Sequence, residues 1–435
     1  MKHFKSIFLF FLCITRFFCA NAQDNAAIKE FNFGNNTDKK SGTLINKVVA
    51  YTKAIGYGFD LQSDKNVTFD ERSISAKSPF YFSIKLPEGN YSVEVVLGGN
   101  NSGITTVKTE SRRLMLREIK TAAKETKTAR FVVNIRTGKF DVTNTINLKP
   151  AEIKGLNWDE KLTLEFLGTS IVQGIKITPI SKIKTIYMAG DSTVMEHDLE
   201  PWASWPQFFP NYLTTDVVVA NYACSGLTLR SFMSGYRLDK ILYLMEPGDY
   251  LFIEFGHNDE KATGEGKEAS GAYTALLKDF ITKTRNKGGT PILVTPVQRR
   301  YFNSNGTLKP THGEFPDAMR KVAQEMQVPL IDVTKMTTSL YQSWGNELSK
   351  KAFVYYADDT FPGQINALAD NAHLNSFGAN ELAKCIVQNI KNAGLDLAKN
   401  IKPTVPYYIF KNPSKPSDWT LPMSARFEIT KPDGE

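Results

Sequence analysis

Residues 183–193 read Ile183-Lys184-Thr185-Ile186-Tyr187-Met188-Ala189-Gly190-Asp191-Ser192-Thr193. A short apolar run ends in a glycine and then in polar residues, which predicts a buried strand Ile183–Ala189 followed by a turn. Runs of the same kind recur at Val217–Ala220, Tyr250–Phe255, Pro291–Val297 and Leu330–Val333. Between them lie stretches of helical character: Leu229–Met245, Gly271–Lys287 (stopped by Gly288-Gly289) and Phe315–Gln327. A last helix is expected over Ser376–Ala393, stopped by Gly394. Short apolar strands that alternate with helices indicate a parallel sheet covered on both faces. Such sheets bind ligands beyond the carboxyl ends of their strands.

Upstream the rhythm is different. Residues 23 to about 180 carry short alternating or aromatic runs, including Tyr81–Leu86, Tyr91–Leu97, Phe131–Ile135, Leu162–Phe166 and Val172–Ile177. Turn residues separate them, as in Pro87-Glu88-Gly89-Asn90 and Gly98-Gly99-Asn100-Asn101. That spacing predicts an antiparallel β-sandwich. Four segments are expected: a leader (1–22), the β-sandwich (23–180), the α/β unit (181–400) and an extension (401–435). The extension is rich in proline and aromatics (Tyr407, Tyr408, Phe410, Trp419), and the sequence leaves open which unit it packs on.

The leader reads as an export signal. Lys2 and Lys5 precede the apolar stretch Ile7–Cys13, and Ala20-Asn21-Ala22 fits a small-residue cleavage site. An acylated Cys13 or Cys19 lacks a small-residue lead-in. The uncharged run is much shorter than the ~20 residues that cross a bilayer, so an exported protein with no membrane span is expected. Cleavage removes Lys2, Lys5 and Arg16, lowering the net charge of +8 to +5. The remaining basic excess is dispersed along the chain, whereas nucleic-acid binding wants a basic stripe on a recognisable module. Cys224 and Cys385 alone remain after cleavage; one pair makes no disulfide framework and their spacing fits no zinc site. Whether they are bridged stays open. Neither a metal nor a cofactor is expected.

The chemistry sits at the strand ends. Ser192 follows the first strand, where a turn exposes a hydroxyl that a base can activate; alone, Gly-Asp-Ser fits a helix N-cap as well. His373 can take that proton and return it to a leaving alcohol. Asp370, three positions earlier, can lie on the same side of a turn and hold the other ring N–H, fixing the tautomer. Asp370 also suits an N-cap for the helix that follows. His197 and His312 lack a carboxylate at that offset, and His197 lies too close to Ser192 to swing back as a base. Gly226, after the second strand, and Asn258, after the third, can donate N–H groups to an oxyanion beside the N–H of Ser192. Each is also ordinary turn furniture.

The blocks Gly190-Asp191-Ser192-Thr193, Asn221-Tyr222-Ala223-Cys224-Ser225-Gly226, Gly256-His257-Asn258-Asp259 and Asp370-Asn371-Ala372-His373-Leu374-Asn375 resemble those of the SGNH, or GDSL-type, hydrolases. The threonine after the serine and the Gly-His-Asn-Asp block are similar to the rhamnogalacturonan acetylesterase-like branch. The resemblance covers about residues 183–395. It implies a flavodoxin-like three-layer α/β/α sandwich, Ser192 as nucleophile, His373 as base, Asp370 as its orienting carboxylate, and oxyanion donors at Ser192, Gly226 and Asn258. It also implies a galactose-binding-like β-sandwich ahead of the catalytic unit, and removal of O-acetyl groups from an acetylated pectic polysaccharide or oligosaccharide. Arg299 and Arg300, after the fourth strand, suit the carboxylates of such a polymer; a solvated pair or an internal salt bridge is the alternative. Trp202 and Trp205 suit stacking on a sugar ring, or anchoring in the core. Another acyl-ester hydrolase (acetylxylan esterase or lysophospholipase type) and a carbohydrate-binding protein with a dead hydrolase unit remain open.

Overall fold

The computed structural model describes residues 27–35, 41–264 and 268–433. The expected leader lies outside the described residues. The strands Lys184–Gly190, Val217–Asn221, Tyr250–Glu254, Thr290–Val294 and Leu330–Ile331 form one parallel sheet. Numbered along the chain, their spatial order is 2-1-3-4-5. The first strand lies between the second and third, so connections leave it in opposite directions and a crevice opens at its carboxyl end. Ser192 is two residues past that end.

Strand periodicity shows why the runs are apolar throughout. Ile186 and Met188 enter one buried cluster with residues of the helices Val333–Ser349 and Ser376–Asn392. Tyr187 and Ala189 enter another, with residues of Leu229–Ser234, Arg237–Leu244, Thr274–Asn286 and Phe315–Glu325. Both faces are covered, as a two-period strand between two helical layers requires.

Three elements differ from expectation. The expected helix 229–245 is two, separated at Gly235 and Tyr236, where Tyr236 has φ +61°. Asn147 donates its N–H to the Gly235 carbonyl there. The helix Val333–Ser349 follows Leu330–Ile331 where no helix is expected. Its threonines disguise it: Thr337 and Thr338 return their hydroxyls to the carbonyls of Val333 and Thr334, four residues back. Asp370 and His373 lie on a strand, Leu368–Leu374, paired antiparallel with Phe353–Tyr356. The N-cap of the next helix is Asn375, whose side chain accepts from the N–H of Gly378.

The N-terminal part is built around one strand of 20 residues, Lys161–Ile180, which merges two expected strands. Its first half pairs with Phe80–Lys85 and Gly103–Thr109, its second with Gly89–Gly98 and Lys29–Phe33. Phe31, Phe33, Phe59, Phe80, Phe82 and Phe166 pack inside, with Phe33 edge-on to Phe82 at 5.3 Å and Phe80 stacked on Phe166 at 4.8 Å.

Buried charges join this part to the α/β unit. Glu196 pairs with Arg113 at 3.1 Å and Arg136 at 2.8 Å. Glu200 pairs with Arg112 and with Lys108, the latter at 3.6 Å. Glu152 pairs with Arg237 at 2.5 Å, and Glu88 with Lys240 at 2.7 Å. The C-terminal extension packs on both: Trp419 lies against Phe208 and Phe377, while Ser424 bonds Glu165 and Lys108. Cys224 and Cys385 are buried and unbridged. Among the described residues no helix is long and apolar enough to cross a membrane, and no cluster of His, Cys, Asp or Glu could hold a metal ion.

Candidate active site

The turn that carries Ser192 is tight because position 190 is glycine. A methyl group there would meet Val194 at 2.5 Å and the Glu254 carbonyl at 3.0 Å. The N–H groups of Val194 and Met195 both donate to the Asp191 carbonyl, curling the chain back after the strand. The Asn221 amide donates to the Val194 carbonyl at 2.7 Å, tying the end of the second strand to this turn.

Ser192, His373 and Asp370 meet in one hydrogen-bonded chain. Ser192 Oγ is 3.0 Å from His373 Nε2, and His373 Nδ1 is 2.8 Å from Asp370 Oδ2. Burial alone would raise the Asp370 carboxyl, but the bond from His373 and the N–H groups of Ala372 and His373 hold it below its ordinary value. An ionised carboxylate only accepts, so Nδ1 carries the ring proton and Nε2 is left to receive the serine's. The cleft at Ser192 is walled by Ala203, Val297, Ala372 and Leu374. Both Ser192 and His373 are only 2% exposed.

A second histidine serves a different purpose. His197 donates Nε2–H to the Ser192 carbonyl at 2.7 Å, and its ring stands edge-on to His373 at 6.1 Å. Burial, and then the neighbouring His373, push its pKa down to about 3. It is a neutral brace for the serine's backbone.

Under the turn lies Glu254, at the end of the third strand. Burial raises its carboxyl well above the ordinary range. Thr193 Oγ1 is 2.9 Å from Asp191 Oδ1 and 3.3 Å from Glu254 Oε1. A hydroxyl has one proton, so a protonated Glu254 donating to Thr193 and Thr193 donating to Asp191 give one consistent chain. Sequence reasoning missed Glu254, a carboxylate that closes an apolar strand three residues before His257.

Gly226, with φ +72°, and Asn258 end up on neighbouring loops: Asn258 Nδ2 donates to the Leu227 carbonyl at 3.1 Å. That uses one of the two amide protons. Asp259 accepts from the Leu229 N–H, and burial, then the Asp191 charge, push its carboxyl up to about 7.

The expected sugar-binding residues are corrected. Trp205 is wholly buried, and its indole donates to Glu254 Oε2 at 2.9 Å, so it braces the sheet rather than a sugar. Trp202 is buried edge-on to His373 at 5.7 Å, with its indole N–H on the Glu428 carbonyl. Arg299 is buried on Glu260 at 2.6 Å and the Thr311 and His257 carbonyls. Arg300 is buried on Asn371, Asn346 and Tyr355. Both guanidinium groups are engaged by the fold, which leaves no open fork for a uronate.

One feature was not legible at all. The C-terminal extension crosses the site: Lys431 Nζ is 3.7 Å from Asp370 Oδ2, and a methyl added at Gly226 would lie 3.4 Å from Asp433 Cβ.

A parallel 2-1-3-4-5 sheet with a serine, histidine and aspartate joined at its switch point is the framework of an α/β hydrolase. The GDSL-like lipase/acylhydrolase family matches residues 166–379, and the chain belongs to that family. Rhamnogalacturonan acetylesterase RhgT of Bacillus subtilis (strain 168) is 38% identical over 219 residues, 50% of this chain and 93% of the relative. A second Bacillus subtilis protein, the probable rhamnogalacturonan acetylesterase YesY, is 34% identical over 222 residues, 50% of this chain and 96% of the relative. The uncharacterized esterase YxiM of the same organism is 26% identical over 384 residues, 85% of this chain and 92% of that protein. Within the family the chain falls in the rhamnogalacturonan acetylesterase-like branch.

Proposed function

We propose that the protein is an exported serine esterase that removes O-acetyl groups from rhamnogalacturonan. The hydrogen-bonded chain from Asp370 through His373 to Ser192 carries this reading. Ser192 Oγ attacks the acetyl carbonyl carbon while His373 Nε2 takes its proton. The carbonyl oxygen becomes an oxyanion facing the N–H groups of Ser192 and Gly226 and the free proton of the Asn258 amide. Collapse breaks the ester bond, and His373 returns the proton to the departing sugar hydroxyl. Water, deprotonated by His373, then attacks the acyl-enzyme; the bond to Ser192 Oγ breaks, His373 returns the proton to that oxygen, and acetate leaves. Asp370 stabilises the imidazolium in both halves.

The names of the relatives supply the pectic substrate. Removal of residues 1–22 on export suits a polymeric substrate, and residues 23–180 serve as a galactose-binding-like β-sandwich in front of the catalytic unit 181–400, with 401–435 as an extension.

Acetate release from acetylated rhamnogalacturonan, acetylated xylan and a short aryl acetate tests the reading, with wild type and Ser192→Ala side by side. Wild type should release acetate fastest from the pectic polymer, and Ser192→Ala should be inactive on all three. No release by wild type from any substrate removes the esterase reading; equal rates in both proteins remove Ser192 as nucleophile.

A further inference from the structure

An acidic polysaccharide brings carboxylates close to its ester, and with Arg299 and Arg300 engaged internally the cation that meets them has to come from elsewhere. Two ammonium groups stand beside the site. Lys149 belongs to the N-terminal part, immediately before the helix Pro150–Lys154. Its Nζ donates to the Ser225 carbonyl at 2.7 Å, and its side chain is 35% exposed. A methyl added at Gly226 would lie 3.2 Å from that nitrogen, so the ammonium adjoins the glycine assigned to the oxyanion. Lys431 is the second, but it rides on the C-terminal extension.

A carboxylate already sits on Lys149. Asp433 Oδ2 is 3.2 Å from Nζ, and the Asp433 side chain is 73% exposed. An ion pair so open to solvent contributes little, so this contact is easily exchanged. The Ser225 carbonyl holds the ammonium in place when Asp433 leaves, whereas Lys431 would depart with the extension. The fixed cation is therefore Lys149. A uronate can exchange carboxylate for carboxylate there; a neutral sugar has nothing to offer in place of Asp433.

Building on the esterase reading above, we propose that Lys149 is a specificity-determining residue that grips a carboxylate of an acidic sugar beside the acetylated ring, and that Asp433 occupies this position until substrate displaces it. The N-terminal part thereby supplies a piece of the substrate site.

The test measures inhibition of aryl acetate hydrolysis by digalacturonate and by neutral galactobiose, in wild type, Lys149→Gln, Lys149→Arg and Asp433→Asn. Digalacturonate should inhibit wild type competitively and galactobiose should not. Losing a charge-assisted bond should raise the digalacturonate inhibition constant about tenfold or more in Lys149→Gln. Lys149→Arg should restore most of the affinity, which a folding defect would not allow, and Asp433→Asn should tighten inhibition by removing the competitor. The ratio of kcat/KM for acetylated rhamnogalacturonan over aryl acetate should also fall about tenfold in Lys149→Gln. An unchanged inhibition constant in that variant, or equal inhibition by the acidic and neutral disaccharides, overturns the proposal. Calorimetric titration with digalacturonate reads the same affinity without turnover. Tight Lys149-dependent binding with no acetate released from the pectic polymer would remove the proposed substrate and leave the carboxylate site standing.

Discussion

Asp370 accepts from three donors, the ring of His373 and two backbone N–H groups, and each favours the ionised form. Replacing it by Asn presents an amide N–H₂ or a carbonyl oxygen to Nδ1 and no longer fixes the tautomer. Asp370→Asn should lower kcat by about 10⁴-fold, the cost of presenting the wrong nitrogen to the serine. Steady-state rates on a short aryl acetate decide this, and a loss of less than about tenfold would mean that the carboxylate does not set the tautomer. His197 makes a prediction of another kind. Its folded pKa of about 3 lies below the ordinary value near 6.5. Between those limits the unfolded chain binds a proton that the native protein does not, so stability falls as pH drops from about 6.5 toward 3, by up to ~1.4 kcal/mol per unit. Melting temperatures from pH 6.5 down to about 5, above most carboxylate titration, should therefore decline more steeply for wild type than for His197→Gln. Parallel slopes would show that this ring titrates normally. The closeness of Asp370 and His373 is legible in the chain because three residues can be joined by a local turn, and here the N–H groups of Ala372 and His373 bonded to Asp370 curl the backbone to do it. Nothing local brings Glu254 or Lys149 to the site, whereas His197 is only five residues past Ser192. Conversely, Trp205, Arg299 and Arg300 have the right chemistry for a sugar but lie where the fold consumes their donors.

The turn between the strands Gly103–Thr109 and Arg113–Thr121 reaches into the α/β unit. Glu110 and Arg112 both take left-handed conformations, φ +52° and +63°, a cost that their buried contacts offset. Arg112 donates to the carbonyls of His197, Leu199 and Trp202 and pairs with Glu200. It thus fixes the loop whose Trp202 ring stands against His373. Arg112→Met leaves Glu200 with Lys108 alone and should cost about 3–5 kcal/mol, the price of a buried charge losing its partner. It should also lower kcat as Trp202 loosens. Urea unfolding of Arg112→Met, Glu200→Gln and the double variant should give a double-variant loss well below the sum of the singles; strict additivity would show that the two charges do not act as a pair. Legibility also follows element type. Parallel strands buried on both faces are apolar at nearly every inner position, and all five are readable as runs. The helix Val333–Ser349 is obscured because its threonines read as strand formers, although Val333, Met336, Leu340 and Trp344 keep helical spacing. The merging of two expected strands into Lys161–Ile180 depends on pairing partners far away in sequence, and no local signal reports it.

At the scale of the whole molecule, the comparison with shorter relatives poses a physical problem. RhgT is matched over 93% of its length by only 50% of this chain, so about half of this chain lies outside the matched segment. The junction is charged and mostly buried. Glu196, Glu200, Arg237 and Lys240 of the α/β unit are each buried and each draw an opposite charge from Lys108, Arg112, Arg113, Arg136, Glu152 or Glu88 of the N-terminal part. Separating the parts would strand these groups, some where the fold still excludes water, at several kcal/mol for each unpaired charge. A domain typically has only ~5–15 kcal/mol of stability to lose. The α/β unit of this chain should therefore be unable to keep its fold alone. Calorimetry of the full chain is expected to show one unfolding transition whose van't Hoff and calorimetric enthalpies agree, lost to aggregation when residues 181–400 are produced alone. Two resolved transitions in the full chain, or a well-folded and active 181–400 fragment, would show instead that the charged junction is a contact between independent bodies. One cooperative transition would also explain how Lys149, anchored in the N-terminal part, holds a fixed position beside Gly226: a residue that shares the unfolding unit of the catalytic serine shares its rigidity.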